Sequence, residues 1–296
     1  MAQLYSHSRL SSFEDCPQKF QYRYVLKIPS DSEGVEGFVG KRVHEVLERL
    51  YLAVGRGQVP SQDQVLKRFR ALFDEHYDAE RVRIVRTENS LDFYRELGER
   101  CLSGFYRRHY PFDADHTLGI EKRVILSLDH TGEYRVQGIV DRIAEARDGA
   151  IEIQDYKTGA WVPPQEQLDR DRQLALYQMG IGESYGPGRP IRLVWHYLQR
   201  NQVRTSTRTP EQLEELRCAT IGLIDRIRAE DRYEAKPGPL CRWCEYAERC
   251  PLGPEGPGEP ARRPPEAPPR EVAQPPTAAE APDAEPPPKR GQLSLL

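Results

Sequence analysis

The sequence predicts an α/β fold in which a mixed β-sheet is flanked by helices. Two observations carry this prediction. Apolar residues recur at helical spacing through much of residues 8–109, and three runs with strand-like alternation follow them. Patterns typical of a helix, a strand and a last helix complete the region up to residue 230. We therefore expect a mixed-sheet core with a helical annex on its N-terminal side.

The predicted elements follow one another in a clear order. Helical periodicity covers residues 8–26, 40–54 and 61–109. The strand-like runs are "GIEKRVILSL" (119–128), "YRVQGIVDRIAEA" (134–146) and "AIEIQDYKT" (150–158). The "DG" pair at 148–149 predicts a hairpin between the second and third runs. Beyond it, "RQLALYQMGI" (172–181) predicts a helix, "IRLVWHYLQ" (191–199) a strand and residues 210–230 a final helix.

The composition is typical of a folded protein that stays in the cytoplasm. The chain is 38% hydrophobic and 30% charged, and it has no apolar run of the about 18 residues that a membrane span needs. The N-terminus lacks the apolar stretch of a signal peptide. Six cysteines in such a chain favour metal binding or buried thiols over disulfides. The net charge of -3 excludes a globally basic nucleic-acid binder but leaves room for local basic patches.

The last 43 residues differ from the rest of the chain. Residues 254–290 hold 13 of the 25 prolines and few apolar residues, which predicts a disordered linker. The final residues 291–296, "GQLSLL", are apolar and lack proline. An apolar peptide on a solvated tether is typical of a partner-binding segment. We therefore expect a folded domain at 1–253, a linker at 254–290 and a binding peptide at 291–296.

The predicted hairpin carries the residues that can take part in a reaction. In "IEIQDYKTG", strand alternation places Asp155 and Lys157 on one face, and the preceding strand supplies Asp141. Two facing carboxylates repel each other unless a hard cation such as Mg²⁺ or Mn²⁺ lies between them. A nearby lysine can stabilise developing negative charge during phosphodiester hydrolysis. The alternative from spacing alone is a solvated strand end where Asp155 and Lys157 merely pair.

"GIVDRI" followed by "DYKTG" resembles the core of PD-(D/E)XK nucleases, in particular the RecB-like exonuclease branch. This resemblance implies a restriction-endonuclease-like mixed sheet. It also implies that Asp141 and Asp155 are metal ligands, that the Tyr156 carbonyl completes the coordination and that Lys157 is the catalytic lysine. The proline of the family's name is absent here.

Three further positions match the same branch. "GKRVHEVLERL" resembles the helix whose histidine joins the metal site, which implies that His44 is a ligand. "QLALYQ" places Gln173 and Tyr177 at i, i+4 and resembles a Gln-x-x-x-Tyr motif beside the DNA path. Glu121 resembles an acidic position near the metal. Without the resemblance, His44 is an ordinary structural histidine, and Tyr177 is a half-buried residue of an amphipathic helix.

"CRWCEYAERC" (241–250) holds three cysteines, and four thiolates suit zinc or an iron–sulfur cluster equally by coordination alone. The spacing Cys-x2-Cys-x5-Cys resembles the C-terminal end of iron–sulfur members of this branch, which pair it with one N-terminal cysteine. The resemblance implies a 4Fe–4S cluster, with Zn²⁺ as the alternative. It implies these ligands: Cys16, Cys241, Cys244 and Cys250. Cys101 and Cys218 have no partner by spacing and are expected in the core.

The C-terminal "GQLSLL" resembles the peptide with which bacterial proteins bind the sliding clamp, with leucine in place of the usual terminal phenylalanine. The matching residues are Gln292, Leu293, Ser294, Leu295 and Leu296. Tethering would raise the local concentration of the domain at clamp-loaded DNA.

The joint match favours a Mg²⁺- or Mn²⁺-dependent deoxyribonuclease, in particular an exonuclease, of DNA repair, recombination or replication. Its iron–sulfur relatives include the nuclease domain of AddB and CRISPR-associated exonucleases. Two alternatives stay open: a CRISPR-associated exonuclease that trims spacers, and a non-catalytic DNA-binding module of a helicase–nuclease complex. No P-loop occurs in the chain, so any unwinding would need a partner helicase.

Overall fold

A computed structural model describes residues 3–30, 32–182, 184–185 and 188–253 of the chain. The first half is mainly helical. Its helices are α1 (His7–Asp15), α2 (Pro17–Phe20), α3 (Val35–Val54), α4 (Gln62–His76) and α5 (Leu91–His109). A π-helical turn, Gln21–Val25, follows α2. The later helices are α6 (Gln165–Leu168), α7 (Gln173–Ile181) and α8 (Pro210–Ala229). No helix in this described part of the chain has the length and apolar character needed to cross a membrane.

A mixed sheet of six strands forms the centre of the fold. Its strands are β1 (Leu4–Ser6), β4 (Asp115–Ser127), β5 (Arg135–Ala146), β6 (Ile151–Lys157), β7 (Ile191–Tyr197) and β8 (Gln202–Ser206). The strands β4, β5 and β6 form an antiparallel meander, β6 and β7 are parallel, and β8 closes one edge antiparallel to β7. A separate pair joins β2 (Glu33–Gly34) to β3 (Val82–Arg83).

Each face of the sheet has its own hydrophobic core. On one face, Ile143, Ile153 and Leu193 pack with apolar residues of α1, α7 and α8. On the other face, Tyr156 and residues of α3, α4 and α5 form the second core. The sheet is therefore the middle layer of three, as the alternation of apolar residues on both sides of a buried strand requires.

Local sequence signals fix several element ends. Ser61 and Gln64 form a capping box at the start of α4, and Thr209 and Gln212 form another at the start of α8. Gly149 adopts a φ of 82° in the turn between β5 and β6, a conformation that glycine reaches without steric cost. The predicted hairpin at "DG" is thus confirmed.

Two expectations from the sequence are wrong. Residues 61–109 are not one helical stretch: residues 77–90 leave the helix, Val82–Arg83 pairs with β2, and Ser90 caps a new helix by accepting from Phe93 N. Cys218 lies exposed on α8, not in the core, because the buried face of that helix is formed by other residues, such as Leu223 and Ile227. Cys101 is fully buried as expected.

Candidate active site and the four-cysteine region

The candidate site lies where β5 and β6 separate. One edge of β5 pairs with β1 at residues 135–137 and with β6 at residues 142–145. Between these two ladders, no strand of the described chain pairs with residues 138–141 on that edge. Asp141 lies at this opening, and its Oδ2 accepts a hydrogen bond from Tyr156 N at 2.8 Å. The carboxylate therefore takes over a backbone donor at the point where the strand ladder ends.

His44 reaches the same opening from the middle of α3. Its Nε2 lies 2.7 Å from the Tyr156 carbonyl oxygen, and its Nδ1 lies 3.5 Å from Asp141 Oδ1. Burial opposes the charged imidazolium, but hydrogen bonding and attraction from Asp141, together with the charge of Asp155, raise the pKa of His44 to about 9. The structure thus brings together three of the residues implied by the resemblance: His44, Asp141 and Tyr156.

Asp155, Lys157 and Gln173 form a closed network beside them. Lys157 Nζ lies 2.8 Å from Asp155 Oδ2 and donates to Gln173 Oε1 at 2.9 Å, while Gln173 Nε2 donates to Asp155 Oδ1 at 3.0 Å. Burial raises the pKa of Asp155 to about 6, against the opposing charge of Lys157. Burial disfavours a charged lysine, yet Asp155 raises the pKa of Lys157. Gln173 holds both partners in one orientation.

Glu121 completes a group that could hold a metal ion. Ligand atoms of His44, Glu121 and Asp141 all lie within 4.8 Å of one another. Glu121 has a φ of 46°, in the left-handed region that is strained for a residue with a Cβ. Burial and then the negative charge of Asp141 raise the pKa of Glu121 to about 7. A cation would remove this repulsion, so the donor set fits a divalent metal.

Tyr177 packs one helical turn from Gln173, over a glycine of β5. A Cβ at Gly138 would lie 2.0 Å from Tyr177 Cε1, so the absent side chain at Gly138 makes room for the ring. The pair Gln173 and Tyr177 therefore lies on one side of the site, as the i, i+4 spacing predicts.

His7 is a neighbour of the site that sequence reasoning missed. Burial lowers the pKa of His7 to about 4. The negative charge of Asp171 raises this pKa, and the positive charge of Lys157 lowers it. It comes near Lys157 because β1 pairs in parallel with β5, about 130 residues away in sequence. No local pattern predicts a parallel pairing at that separation, so the sequence held no signal for His7.

Comparison with known proteins now decides the family. A family model described as the PD-(D/E)XK nuclease superfamily matches residues 4–251. The chain belongs to the PD-(D/E)XK nuclease superfamily. The mixed sheet flanked by helices agrees with the fold expected for this superfamily, so the predicted fold class is confirmed. The superfamily also makes the chain a hydrolytic nuclease, and its members typically use divalent metals, for which an acidic His/Glu/Asp group is present.

Individual proteins also resemble this chain. One subunit of an ATP-dependent helicase/deoxyribonuclease from Streptococcus uberis is 27% identical over 165 residues, 53% of this PD-(D/E)XK chain and 14% of that protein. The chain thus spans a small part of the relative's length. A candidate exonuclease from Eubacterium rectale superposes with a TM-score of 0.47 at 13% identity, covering 81% of this chain and 86% of that one. The structure of SSO0001 superposes with a TM-score of 0.35 at 12% identity, covering 84% of this chain and 85% of that one. These two structural similarities are too low to support a functional argument.

The four cysteines lie on two segments that pack against each other. Tyr22 donates to the Arg249 carbonyl at 2.9 Å, and Lys19 pairs with Glu245 at 2.9 Å. Burial raises the pKa of Tyr22, and so do the nearby Cys250, Cys16 and Cys244 in that order. The N-terminal cysteine and the C-terminal trio are therefore neighbours in space, although residue 16 and residue 241 are far apart in sequence.

Two of these sulfurs each accept a hydrogen bond from one backbone N–H group. Lys236 N–H points to Cys16 Sγ at 3.5 Å, and Gly238 N–H points to Cys241 Sγ at 3.3 Å. Backbone N–H groups of this kind hydrogen-bond to the sulfur ligands of metal sites. No three of the four sulfurs, all of them in described segments, come within 4.8 Å of one another. A tetrahedral zinc site would hold its sulfurs about 3.8 Å apart.

The predicted linker and the clamp-like peptide lie outside the described residues. This concerns residues 254–290 and the peptide residues Gln292, Leu293, Leu295 and Leu296.

Proposed function

We propose that the chain is a Mg²⁺- or Mn²⁺-dependent DNA exonuclease of repair, recombination or replication. One observation carries the proposal. Where β5 and β6 separate, the His44–Glu121–Asp141 group lies beside a lysine that is oriented by a buried carboxylate. This is the arrangement that metal-assisted phosphodiester hydrolysis requires. The helicase/deoxyribonuclease name of the Streptococcus uberis relative supports DNA as the substrate.

The proposed roles follow from the chemistry of each group. The groups that would hold the cation are the side chains of His44, Glu121, Asp141 and Asp155 and the carbonyl of Tyr156. A bound divalent cation supplies Lewis acidity and lowers the pKa of water. Lys157, oriented by Asp155 and Gln173, places a positive charge where negative charge develops on the phosphate. We propose that Gln173 lies beside the DNA path and that Tyr177, which is 7% exposed and packs on Gly138, supports the strand beneath it.

The direct test is digestion of end-labelled single- and double-stranded DNA with Mg²⁺ or Mn²⁺. We expect the wild-type chain to release nucleotides from ends, and Asp155→Asn to lose cleavage by about 100-fold or more because a ligand is lost. The isosteric amide keeps the buried site filled, so circular dichroism and the thermal midpoint should stay close to wild type.

The matched control is Asp113→Asn, because the Asp113 side chain is 69% exposed and pairs only with an exposed arginine, Arg147, within the described structure. It should cleave like wild type. Undiminished metal-dependent cleavage by a folded Asp155→Asn chain would contradict the catalytic role proposed for Asp155. Absence of any cleavage by the wild-type chain would instead favour the alternative of a non-catalytic DNA-binding module.

The four-cysteine region is proposed to hold a 4Fe–4S cluster through Cys16, Cys241, Cys244 and Cys250. The convergence of the two segments and the backbone donors at Cys16 and Cys241 support this. The resemblance of the Cys-x2-Cys-x5-Cys spacing to iron–sulfur members of the RecB-like branch is the reason for proposing a cluster, with Zn²⁺ as the alternative. Anaerobically purified protein should contain iron and absorb visible light. Zinc in place of iron would overturn the proposal.

Two partners are proposed. A peptide of residues 286–296 should bind the cognate sliding clamp through Gln292, Leu293, Leu295 and Leu296, and fluorescence anisotropy of a labelled peptide measures this. A peptide with Gln292→Ala and Leu295→Ala is the control, and no binding by the natural peptide ends the clamp proposal. The name of the relative supports a helicase as the second partner.

The domain boundaries of 1–253, 254–290 and 291–296 and the cytoplasmic location remain predictions from sequence. Limited proteolysis followed by mass spectrometry tests the boundary at residue 253. A role in trimming CRISPR spacers instead of repair would be revealed by genes for CRISPR proteins next to this one.

A further inference from the structure

The outer half of the β4–β5 hairpin has one covered face. Val124, Val136 and Val140 are buried there, and Tyr177 of α7 packs on Gly138. These residues alternate along the two strands with a second set, which must point to the opposite face.

That opposite face is exposed. Its side chains form three directly opposed pairs: Arg123 with Ile139, Ile125 with Gln137, and Ser127 with Arg135. Ile139 is 53% exposed and Ile125 is 46% exposed. Two large aliphatic side chains on the open face of a hairpin, with arginines beside them, form a mixed surface typical of ligand binding. We call these six residues the hairpin platform.

The platform carries positive charge that is not neutralised. Arg123 donates to Gln137 Oε1 at 2.7 Å, and among the described residues neither Arg123 nor Arg135 forms an ion pair with a carboxylate. No member of the platform is acidic. The surface therefore favours an anionic ligand.

The platform begins at the candidate metal group. The register places Glu121 opposite Asp141, because Ile120 pairs with Arg142 and Lys122 pairs with Val140. Along β5, Ile139 is about 7 Å from Asp141, and Arg135 is about 20 Å from it. A strand of nucleic acid with a stacked rise of about 3.4 Å per nucleotide would span this length with about six nucleotides.

We propose that the hairpin platform is the surface on which the DNA strand lies as it approaches the metal group. Arg123 and Arg135 contact its phosphates. Ile139 inserts between the bases beside the phosphodiester that is cut, and Ile125 packs against a base further along. Aliphatic side chains unstack bases in this way in other DNA-binding proteins. This inference rests on the proposed nuclease function and deepens it, since it assigns the path and the unstacking residue of the same site.

Continuity with the metal group and the charge of the platform favour DNA over a protein partner. Contact with bases through aliphatic packing reads no hydrogen-bond pattern, so the platform would accept any sequence. This is the behaviour needed by an enzyme that moves along a strand.

The first experiment measures the affinity of the full chain for a fluorescein-labelled single strand as a function of salt. An Asp155→Asn background prevents cleavage in the presence of Mg²⁺. The double variant Arg123→Ala with Arg135→Ala should bind the strand more weakly. The slope of log K against log salt is negative, and its magnitude should fall by about 1.4, since each lost phosphate contact removes about 0.7 for single strands. The control, Arg56→Ala with Lys67→Ala, removes the same charge at exposed sites just after α3 and on α4 and should leave the slope unchanged.

The second experiment tests the unstacking residue. A strand with 2-aminopurine next to the cleaved bond should brighten on binding to the Asp155→Asn chain, because the base leaves the stack. Ile139→Ser should abolish this increase. Leu52→Ser, at an exposed aliphatic position on α3, should retain it. A photo-crosslinking residue at position 139 should label the DNA strand, whereas the same residue at position 52 should not.

These readouts do not depend on cleavage, so the two proposals can fail separately. An unchanged salt slope together with an unchanged 2-aminopurine signal overturns the platform, even if the wild-type chain digests DNA. If the platform variants behave as expected while wild type digests nothing, the nuclease proposal fails and the platform stands as a DNA-binding surface. A dimer that Ile139→Ser dissolves would show that a second copy covers this face, which also overturns the proposal.

Discussion

Arg142 shows how one buried charge organises the sheet next to the site. Only 2% of its surface is exposed, and its guanidinium pairs with Asp115, donates to Thr117 and Gln154 at 3.0 Å and stacks on Tyr51 at 3.8 Å. Because it neighbours Asp141 in sequence, its anchoring fixes the backbone from which Asp141 projects. The arginine that follows the candidate metal ligand Asp141 therefore has a structural role in this chain.

Replacing Arg142 tests this role. Arg142→Met should lower the free energy of unfolding by about 3–5 kcal/mol, since Asp115 is left half-buried without its partner. Urea unfolding followed by circular dichroism measures the change.

The control is Arg147→Met, because the Arg147 side chain is 74% exposed and pairs with exposed Asp113 at 3.6 Å. That change should cost less than about 1 kcal/mol. Equal losses for the two variants would mean that the Arg142 network does not stabilise the sheet. Adding Asp115→Asn to Arg142→Met should restore part of the loss, because the unpaired charge is removed.

The contact between Tyr177 and Gly138 gives a second prediction at this scale. Gly138→Ala should destabilise the fold by about 1–3 kcal/mol, because the new methyl group overlaps the tyrosine ring. Gly37→Ala on α3 meets no atom within 4 Å and should be neutral or slightly stabilising. In a Tyr177→Ala background the cost of Gly138→Ala should vanish, and a cost that persists there would exclude the ring as its cause.

At the scale of elements, α5 and β7 meet through two histidines, of which His109 is half-buried and His196 is buried. His109 ends α5, His196 lies on β7, and their ring centroids are 5.2 Å apart. Neither Nε2 has a hydrogen-bond partner within the described structure. Burial lowers the pKa of His109 to about 4 and holds the pKa of His196 well below its ordinary value. Both rings are therefore neutral in the folded chain at pH 7.

This pair predicts loss of stability in mild acid. Below pH about 6.5 the unfolded chain binds protons at these histidines that the folded chain does not bind, so the free energy of unfolding falls by about 1.4 kcal/mol per pH unit for each ring. The loss should run from about pH 6.5 down towards pH 4, and none of it is present above pH 7. Urea unfolding at pH 8, 6 and 5 measures it.

In the same series, His196→Asn should reduce the slope between pH 6 and pH 5 by about 1.4 kcal/mol per unit. His130→Asn, at an exposed position in the turn after β4, should leave the slope unchanged. A wild-type slope that neither substitution alters would place the titrating groups elsewhere.

The elements also show what sequence can predict here. Strand alternation and the "DG" turn predict β5 and β6, because these signals are local. The same alternation puts Asp155 and Lys157 on one face, where they form an ion pair. The end of α4, the strand β1 and the neighbourhood of His7 depend on pairings between distant segments, which no local pattern encodes. The left-handed φ of Glu121 likewise has no local signal in the sequence, since a residue with a Cβ rarely adopts it.

At the scale of the whole molecule, the two ends of the described chain are packed together. Tyr246 donates to the Ile28 carbonyl at 2.9 Å, and its ring lies 5.5 Å from that of Tyr22. A cavity of about 510 Å³ opens beside this junction and is lined by Lys19, Arg23 and Trp243 among others. The junction lies next to the four cysteines, so a group bound there would join the first and last parts of the domain.

This closure predicts that the domain loses stability when the cluster is absent. A cluster held by Cys16 and Cys250 would close a loop of more than about 230 residues, which limits the freedom of the unfolded chain by about 5 kcal/mol in the chain-entropy description. Cys16→Ser should therefore lose iron and lower the urea midpoint of anaerobically prepared protein. Cys218→Ser, at an exposed thiol of α8, should change neither. Wild-type protein stripped of iron by a chelator should unfold at the same midpoint as Cys16→Ser, because both lack the same closure. If the stripped protein kept the wild-type midpoint, the contacts of Tyr22, Tyr246 and Lys19 alone would hold the two ends together.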